Sequence, residues 1–272
     1  MIQELAPRDF KRVAGLFALL DEHLAVWAVL AGETPGQVFV DDTDEPRVAV
    51  LFPWNRHRVY LAGAADDDGF NQGLVRLLAA RYAPEEGEAE EFVVYFAPDG
   101  WETHREAIVP GAVAAVRQYC ELDGPPAGQP ELPPGLELVR VDAALLADTR
   151  VPNLEQLVEE MHSESHSLED FLSRKLGHCV RDGDLLAGWC LSEYNHGDRC
   201  ELGVETLEEY QRQGIGTAAV LATVTEASAR GINRIGWHCW QRNVPSAALA
   251  RRAGFAHVKD YPTWYCRFES GE

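Results

Sequence analysis

Positive charge is scarce in this chain. Its 272 residues carry 24 Lys and Arg against 44 Asp and Glu, a formal net charge of −20 with an isoelectric point near 4.8. Such a surface repels nucleic acid and anionic membranes except where basic residues gather locally, so neither is an expected partner. Long hydrophobic runs are absent as well. The apolar stretch at 25–31 is far too short to cross a bilayer, and the N-terminal Met1-Ile2-Gln3-Glu4-Leu5-Ala6-Pro7 has no basic region leading into an apolar one. A soluble, cytoplasmic protein is the expectation. The third absence is paired cysteine: Cys120, Cys179, Cys190, Cys200, Cys239 and Cys266 contain no CxxC and lie mostly in apolar, strand-like segments. They read as buried free thiols, not as disulfides or zinc ligands. What is present is globular: 46% hydrophobic and 25% charged residues exclude disorder, and the length suggests about two domains.

Composition breaks once, at 123–135, where five prolines fall among thirteen residues. Proline at that density sits in neither helix nor sheet, so this segment reads as an extended linker between a domain at 1–122 and another at 136–272. Residues 1–135 carry a net −13 and residues 136–272 a net −7. In the second half, apolar periodicity predicts strands at 136–141, 178–181, 185–194, 200–206, 234–240 and 257–268. Helices are predicted at 153–161, 168–175, 216–229 and 244–253. That order is βααβββαβαβ, an α/β layer on a mixed sheet. The first half predicts helices at 9–20, 22–30, 70–82 and near 101–108, with strands at 38–40, 47–52, 59–62, 92–96 and 113–119. The similar order suggests a diverged internal duplication; an unrelated α/β cap is the alternative.

The most informative stretch is Gln211-Arg212-Gln213-Gly214-Ile215-Gly216-Thr217, between a predicted strand and a long helix. Two glycines two apart let successive amides point at one spot at a helix N-terminus, a geometry suited to phosphate. A nucleoside-triphosphatase loop would need Gly-Lys-Ser or Gly-Lys-Thr, and neither occurs. A dinucleotide fold would need a carboxylate at the end of the next strand, which instead reads His238-Cys239-Trp240-Gln241-Arg242-Asn243. An acyl-coenzyme A loop, Gln/Arg-x-x-Gly-x-Gly/Ala, fits. The next element reads Asn243-Val244-Pro245-Ser246-Ala247-Ala248-Leu249 and then Ala253-Gly254-Phe255.

With both segments in this order, residues 136–268 resemble the GCN5-related N-acetyltransferase (GNAT) superfamily. The wording of Gly177-His178-Cys179, of Trp189 to Asn195, of Asp198-Arg199-Cys200-Glu201 and of Ile235 to Trp240 is similar to a narrower group around zwittermicin A resistance acetyltransferase. The resemblance implies acetyl-coenzyme A as cosubstrate, no metal, and transfer of its acetyl group to a primary amine. A non-catalytic acyl-coenzyme A binding protein is the alternative. It further implies that backbone groups of Val204 to Thr206 meet the pantetheine arm. The amides of Gln213, Gly214, Ile215, Gly216 and Thr217, beside Arg212, would meet the pyrophosphate, and the Asn243 and Ser246 side chains the pantetheine or phosphates. Charge agrees: from Tyr210 to Phe255 there are six arginines (Arg212, Arg230, Arg234, Arg242, Arg251, Arg252) and one acid, Glu226.

Amine attack on a thioester needs a proton acceptor and a group that stabilises the departing thiolate. Family members often place a tyrosine after the leucine of the second motif, where this chain has Ala250. Glu205 and His238 on neighbouring strands are the candidate bases, and Tyr265 or Tyr261 on the last strand the candidate acid. His162 and His166 are four apart but show no third ligand, so a metal is not expected. Ahead of the first half's helix at 70–82 stands Asp66-Asp67-Asp68-Gly69, whose carboxylates would repel a polyphosphate, so that half is expected to lack a cofactor site. The acidic surface favours small cationic amines as acceptors.

Overall fold

Two strands decide how the chain divides. In the computed structural model, which describes residues 2–83, 90–126 and 128–268, one unit comprises Met1–Arg117 with Tyr261–Glu272 and the other Gln118–Asp260. The division therefore cuts the strands at Val113–Asp123 and Ala256–Phe268, and each unit receives one end of each. This differs from borders drawn at 122 and 136. Prolines mark where a chain cannot join a ladder, whereas a unit's border follows long-range pairing, which leaves no compositional trace. Within the proline-rich segment, 128–135 carry no helix or strand, and Ala127 lies outside the described residues.

The first unit runs β1 (Gln3–Glu4), two 3-10 stretches (Pro7–Val13 and Leu16–Leu20), α1 (Leu24–Leu30), β2 (Gly36–Val40), β3 (Val48–Pro53), β4 (Arg58–Gly63), α2 (Asp68–Arg81), β5 (Glu90–Ala97), a 3-10 turn (Asp99–His104), α3 (Arg105–Ile108) and the start of β6 (Val113–Asp123). The helix expected at 9–20 is thus two 3-10 pieces meeting at Ala14-Gly15, although Phe10, Val13, Phe17 and Leu20 are still buried. Its sheet is ordered β1-β2-β3-β4-β5, and residues 263–268 of the C-terminal strand lie antiparallel to β5. The β4–β5 pair is parallel. Alternate residues of these strands, Val50, Phe52, Val59, Leu61, Val94 and Phe96, pack with Phe70, Leu74 and Leu78 of α2 and with Trp264.

The second unit takes the end of β6 and continues with β7 (Leu136–Arg140), α4 (Ala143–Leu146), α5 (Leu154–Glu164), α6 (Leu168–Arg174), β8 (Gly177–Asp182), β9 (Leu185–His196), β10 (Arg199–Thr206), a 3-10 turn (Glu208–Tyr210), α7 (Ile215–Ala229), β11 (Arg234–Trp240), α8 (Val244–Arg252) and the start of β12 (Ala256–Phe268). Its sheet order is β6-β11-β10-β9-β8-β7, mixed, with β10–β11 parallel and β7 to β10 antiparallel neighbours. One face packs α7 and α8 through Cys200, Leu202, Ile235, Trp237 and Val220. The other packs α5 and α6 through Cys179, Trp189, Leu191, Leu157 and Phe171. All six cysteines are buried free thiols. Burial pushes the thiols of Cys179, Cys190 and Cys200 above the usual range, which leaves them un-ionised packing groups.

Trp264 tests the assignment of the C-terminal strand to the first unit. It is wholly buried and its indole N–H donates to Glu102 Oε2 at 2.7 Å. Trp264→Ala should cost about 3–5 kcal/mol in urea denaturation, the usual range for a core aromatic. A loss below about 1 kcal/mol would show that the strand does not complete that core.

Candidate active site

The site begins where a ladder stops. β10 and β11 pair from Arg199 opposite Arg234 to Glu201 opposite Gly236 and no further, although β10 continues to Thr206 and β11 to Trp240. Residues 202–206 keep their other edge on β9. The register of β9 against β10 slips at the same step, with Glu201 opposite Tyr194 and Leu202 opposite Ser192, which leaves Glu193 as an extra, bulged residue. A bulge bends and twists the strand that carries it, here β9, and it falls at the step where β10 leaves β11. Two facing backbone edges thus stand open without a ladder, a condition buried amides tolerate only with another hydrogen-bonding partner. In the first unit the corresponding parallel pair, β4 and β5, is laddered from Arg58–Val93 to Ala62–Ala97, the last residue of β5.

The glycine loop meets the far end of this opening. Gly214 caps α7 at φ +86°, where a side chain is strained, and no side chain caps the helix. Arg212, two residues earlier, is also left-handed at φ 63°. At Gly216 a Cβ would stand 2.7 Å from Leu249 Cδ1 and 3.1 Å from Thr206 Oγ1, so glycine there lets the first turn of α7 rest directly on the end of β10. Tyr210 donates its hydroxyl to Asp182 Oδ2 at 2.9 Å, and Gln213 Nε2 donates to the Glu209 carbonyl at 2.9 Å, which fixes the loop's course. The first turn of α7 therefore presents backbone N–H groups and the positive end of its dipole without a side-chain cap. The N-terminus of α2 is the opposite case. Asp67 Oδ1 accepts from Phe70 N at 2.7 Å, so a carboxylate of the chain itself occupies that position.

The α5 side of the sheet carries ionisable groups. Val204 packs toward α7, and the exposed Glu205, the next residue, points to the other face, opposite Trp189 on β9. The Trp189 indole N–H donates to Glu160 Oε2 from α5. Burial pushes the Glu160 carboxyl up to about 7, the charges of Glu193 and Glu205 act in the same direction, and the indole hydrogen bond opposes them. On β11, His238 lies 3.6 Å through Nε2 from Glu201 Oε1, and its ring stacks on Tyr119 of β6 with centroids 4.8 Å apart.

The structure thus brings Val204, Glu205, Thr206 and His238 to one opening, with Gln213, Gly214, Ile215, Gly216 and Thr217 at its end. It gives Asn243 and Ser246 internal bonds: Asn243 Oδ1 accepts from Ser246 N at 3.1 Å, and Ser246 Oγ accepts from the Trp237 indole at 3.1 Å. Tyr265 and Tyr261 belong to the first unit, Tyr265 opposite Val93 and Tyr261 beside His23. Ala250, where a hydroxyl was sought, is wholly buried in the α8 core. The arginine island is smaller than its count, since Arg234 pairs with Glu121 and Arg230 with Glu226. Among the described residues no group of three His, Cys, Asp or Glu is arranged to hold a metal ion, and no helix is long and apolar enough to cross a membrane. Glu160, Glu193, Glu201 and Tyr119 were missed from sequence: the first two are placed by helix packing and a bulge, and Tyr119 precedes the proline-rich segment that seemed to close the first domain.

An opened parallel pair beside a glycine-started helix is what the resemblance to GNAT acyltransferases implies for this unit. The profile of the GNAT acetyltransferase family matches residues 15–264, so the chain belongs to that family. It is 25% identical over 267 residues to an uncharacterized N-acetyltransferase, YdfB, of Bacillus subtilis, covering 97% of this chain and 98% of that one. Its fold is shared with a GCN5-related N-acetyltransferase-like protein of Streptococcus suis (TM-score 0.74, 21% identity, 94% of this chain and 98% of that one). It is also shared with a tandem GNAT protein from the clavulanic acid biosynthesis pathway (TM-score 0.60, 14% identity, 100% and 99%).

The Glu160 environment has a measurable consequence. Its folded-state value lies above the usual 4.5, so the folded chain holds a proton that the unfolded chain releases as pH rises from about 4.5 to 7. Stability contributed by this group is full below that window and is lost through it, by up to about 3 kcal/mol. Glu160→Gln should therefore raise Tm relative to the parent at pH 8 and leave it equal near pH 4.5. A pH-independent difference in calorimetric scans would contradict this environment.

Proposed function

We propose that this chain transfers the acetyl group of acetyl-coenzyme A to a primary amine of a small cationic molecule. The observation that carries the reading is the end of the β10–β11 ladder at Glu201 and Gly236 beside a helix with no side-chain cap. The open edges at 202–206 suit the amides of a pantetheine arm lying as an additional strand, and the first-turn amides of α7 suit a pyrophosphate. Arg212 and Arg242, both exposed, add positive charge at the two ends of this stretch. On the other face Glu205, Glu193 and Glu160 give an acidic lining, which favours an ammonium group over a neutral or anionic acceptor.

The chain's own residues divide the work. Backbone groups of β10 orient the thioester, and carboxylates hold the amine. Glu205 and His238, on the two parted strands, are the candidates to accept its proton. A non-catalytic acyl-coenzyme A binding protein would need the opening and the loop but not ionisable groups across the sheet from them. We read the first unit as a diverged copy of the second: both follow the same order of elements around one parallel pair, and in the first the ladder is closed and the helix capped by Asp67. A structural or substrate-covering role follows for it.

Calorimetry with acetyl-coenzyme A on the full chain tests the cofactor site. Gly214→Asp places a carboxylate and a strained side chain at the cap and should abolish binding in a variant whose circular dichroism is unchanged. Asp66→Asn, Asp67→Asn and Asp68→Asn together should leave affinity within about twofold, a shift of about 0.4 kcal/mol. Retained affinity in Gly214→Asp, or a large loss in the triple variant, would move the cofactor away from α7.

A further inference from the structure

Glu201 is a carboxylate with almost no contact with water. It is 3% exposed and sits at the last rung of the β10–β11 ladder, opposite Gly236. A buried ionised side chain costs several kcal/mol unless charge or hydrogen bonds compensate it. What it faces is His238, the first residue on that side of β11 beyond the last rung, 3.6 Å away and only 11% exposed at its side chain. The Tyr119 ring closes the other side of the imidazole at an interplanar angle of 29°. Tyr119 is itself anchored, its hydroxyl donating to Glu121 Oε2 at 2.6 Å, with Arg234 3.1 Å from the same oxygen. Burial and the neighbouring carboxylates push the Tyr119 phenol above the usual range, so the ring stays neutral. Space for this arrangement is made at Gly236, where a Cβ would stand 3.1 Å from Tyr119 Cε2 and 3.3 Å from Glu201 Cγ. Charged groups around the imidazole therefore come from β10 (Glu201 and Arg199) and β6 (Glu121), with Arg234 on β11 itself.

We propose that His238 is the proton acceptor of the acetyl transfer and that Glu201 is its positioning residue, held against it by Tyr119, while Glu205 binds the ammonium group. The inference rests on the reading of this opening as an acetyl-coenzyme A site. An imidazole is the side chain whose neutral form is available near neutral pH, and a carboxylate at ion-pair distance stabilises the imidazolium that forms when it takes a proton. The step balances. The ammonium R–NH3+ gives one proton to the His238 imidazole, and the free amine forms a C–N bond to the thioester carbonyl carbon. As the C–S bond breaks, the second N–H proton passes to the thiolate, leaving the amide and free coenzyme A. The imidazolium then releases its proton to water. No oxidant or metal enters.

The test is steady-state kinetics of the full chain, with acetyl-coenzyme A and, as probe amines, putrescine, spermidine and an aminoglycoside, followed by thiol release. Glu201→Gln keeps the shape and removes the charge. It should lower kcat roughly 10- to 100-fold, with KM for acetyl-coenzyme A unchanged within about twofold. His238→Gln should lower kcat by about 10²- to 10⁴-fold. The double variant should be no slower than His238→Gln alone, because a positioning residue acts only through its partner. Glu201→Asp, which keeps the charge, should recover part of the loss and serves also if Glu201→Gln does not fold. Glu205→Gln should raise KM for the amine more than it lowers kcat. Glu201→Gln within threefold of the parent in kcat overturns the proposal, as does a further loss in the double variant. Thiol release absent from the parent with every probe amine overturns the reading of the opening, and this inference with it.

Discussion

The function proposed for the second unit depends on a hydrogen-bond ladder that ends early. A parallel pair inside a sheet normally runs as far as its strands do, because each unpaired amide held away from water is costly. In β4–β5 it does so, to Ala97. In β10–β11 it stops after three pairs, at the step where β9 is bulged by Glu193. The same chain thus contains a closed and an open version of one arrangement: the helix that follows the first strand of the closed pair is capped by Asp67, and the one that follows the first strand of the open pair has no side-chain cap. A sheet that gives up several internal hydrogen bonds keeps that arrangement when a ligand replaces them, and the proposed cosubstrate is such a ligand.

The division of the chain follows from the same economy of edges. A parted pair leaves strands at the middle of a sheet, and the sheet must still be completed on the far side of β11. The end of β6 does this in the second unit, and the end of β12 lies along β5 in the first. Tyr119 consequently stands against His238, although it precedes the proline-rich segment. Residue contributions to the site cannot then be apportioned by halves of the sequence, and the first unit is not a contiguous piece of chain.

Much of this was legible beforehand, for identifiable reasons. Helices α7 and α8 and strands β10 and β11 were predicted within a residue or two of their observed limits, because glycine, proline or asparagine stands close to an end of each and α7 is apolar nearly all round. The loop from Gln211 to Thr217 was legible because a left-handed cap at Gly214 and the close approach at Gly216 constrain residue type. The paired Glu201 and His238 were half visible: His238 stood out as a histidine in an aromatic strand, while Glu201 differs from an ordinary solvated strand carboxylate only by its burial. Glu160 was not legible at all, since its raised value arises from α5 lying over Trp189. The partner of Tyr265, Val93 of β5, was not legible for the complementary reason. The strand of Tyr265 was predicted correctly, but which strand it would pair with is a long-range property.

The acidic balance raises a final question of sign, because a chain of net −20 is read here as binding a polyphosphate. Exposed charges more than about 8 Å apart are largely screened at physiological ionic strength, so net charge governs approach more than contact. At contact what counts is the set of groups within a few ångströms. There α7 offers backbone amides, while carboxylates elsewhere in the unit are drawn into local pairs, Glu226 with Arg140 and Arg230, Glu121 with Arg234 and Asp148 with Arg150. The carboxylates that line the opening lie on the α5 side. Because alternate residues of a strand face opposite ways, Val204 and Glu205 lie on the two sides of one sheet. On the proposed reading, that separation by the sheet is what would let one acidic unit hold a polyanion beside α7 and a cation beneath α5, with the parted strands as the place where the two meet.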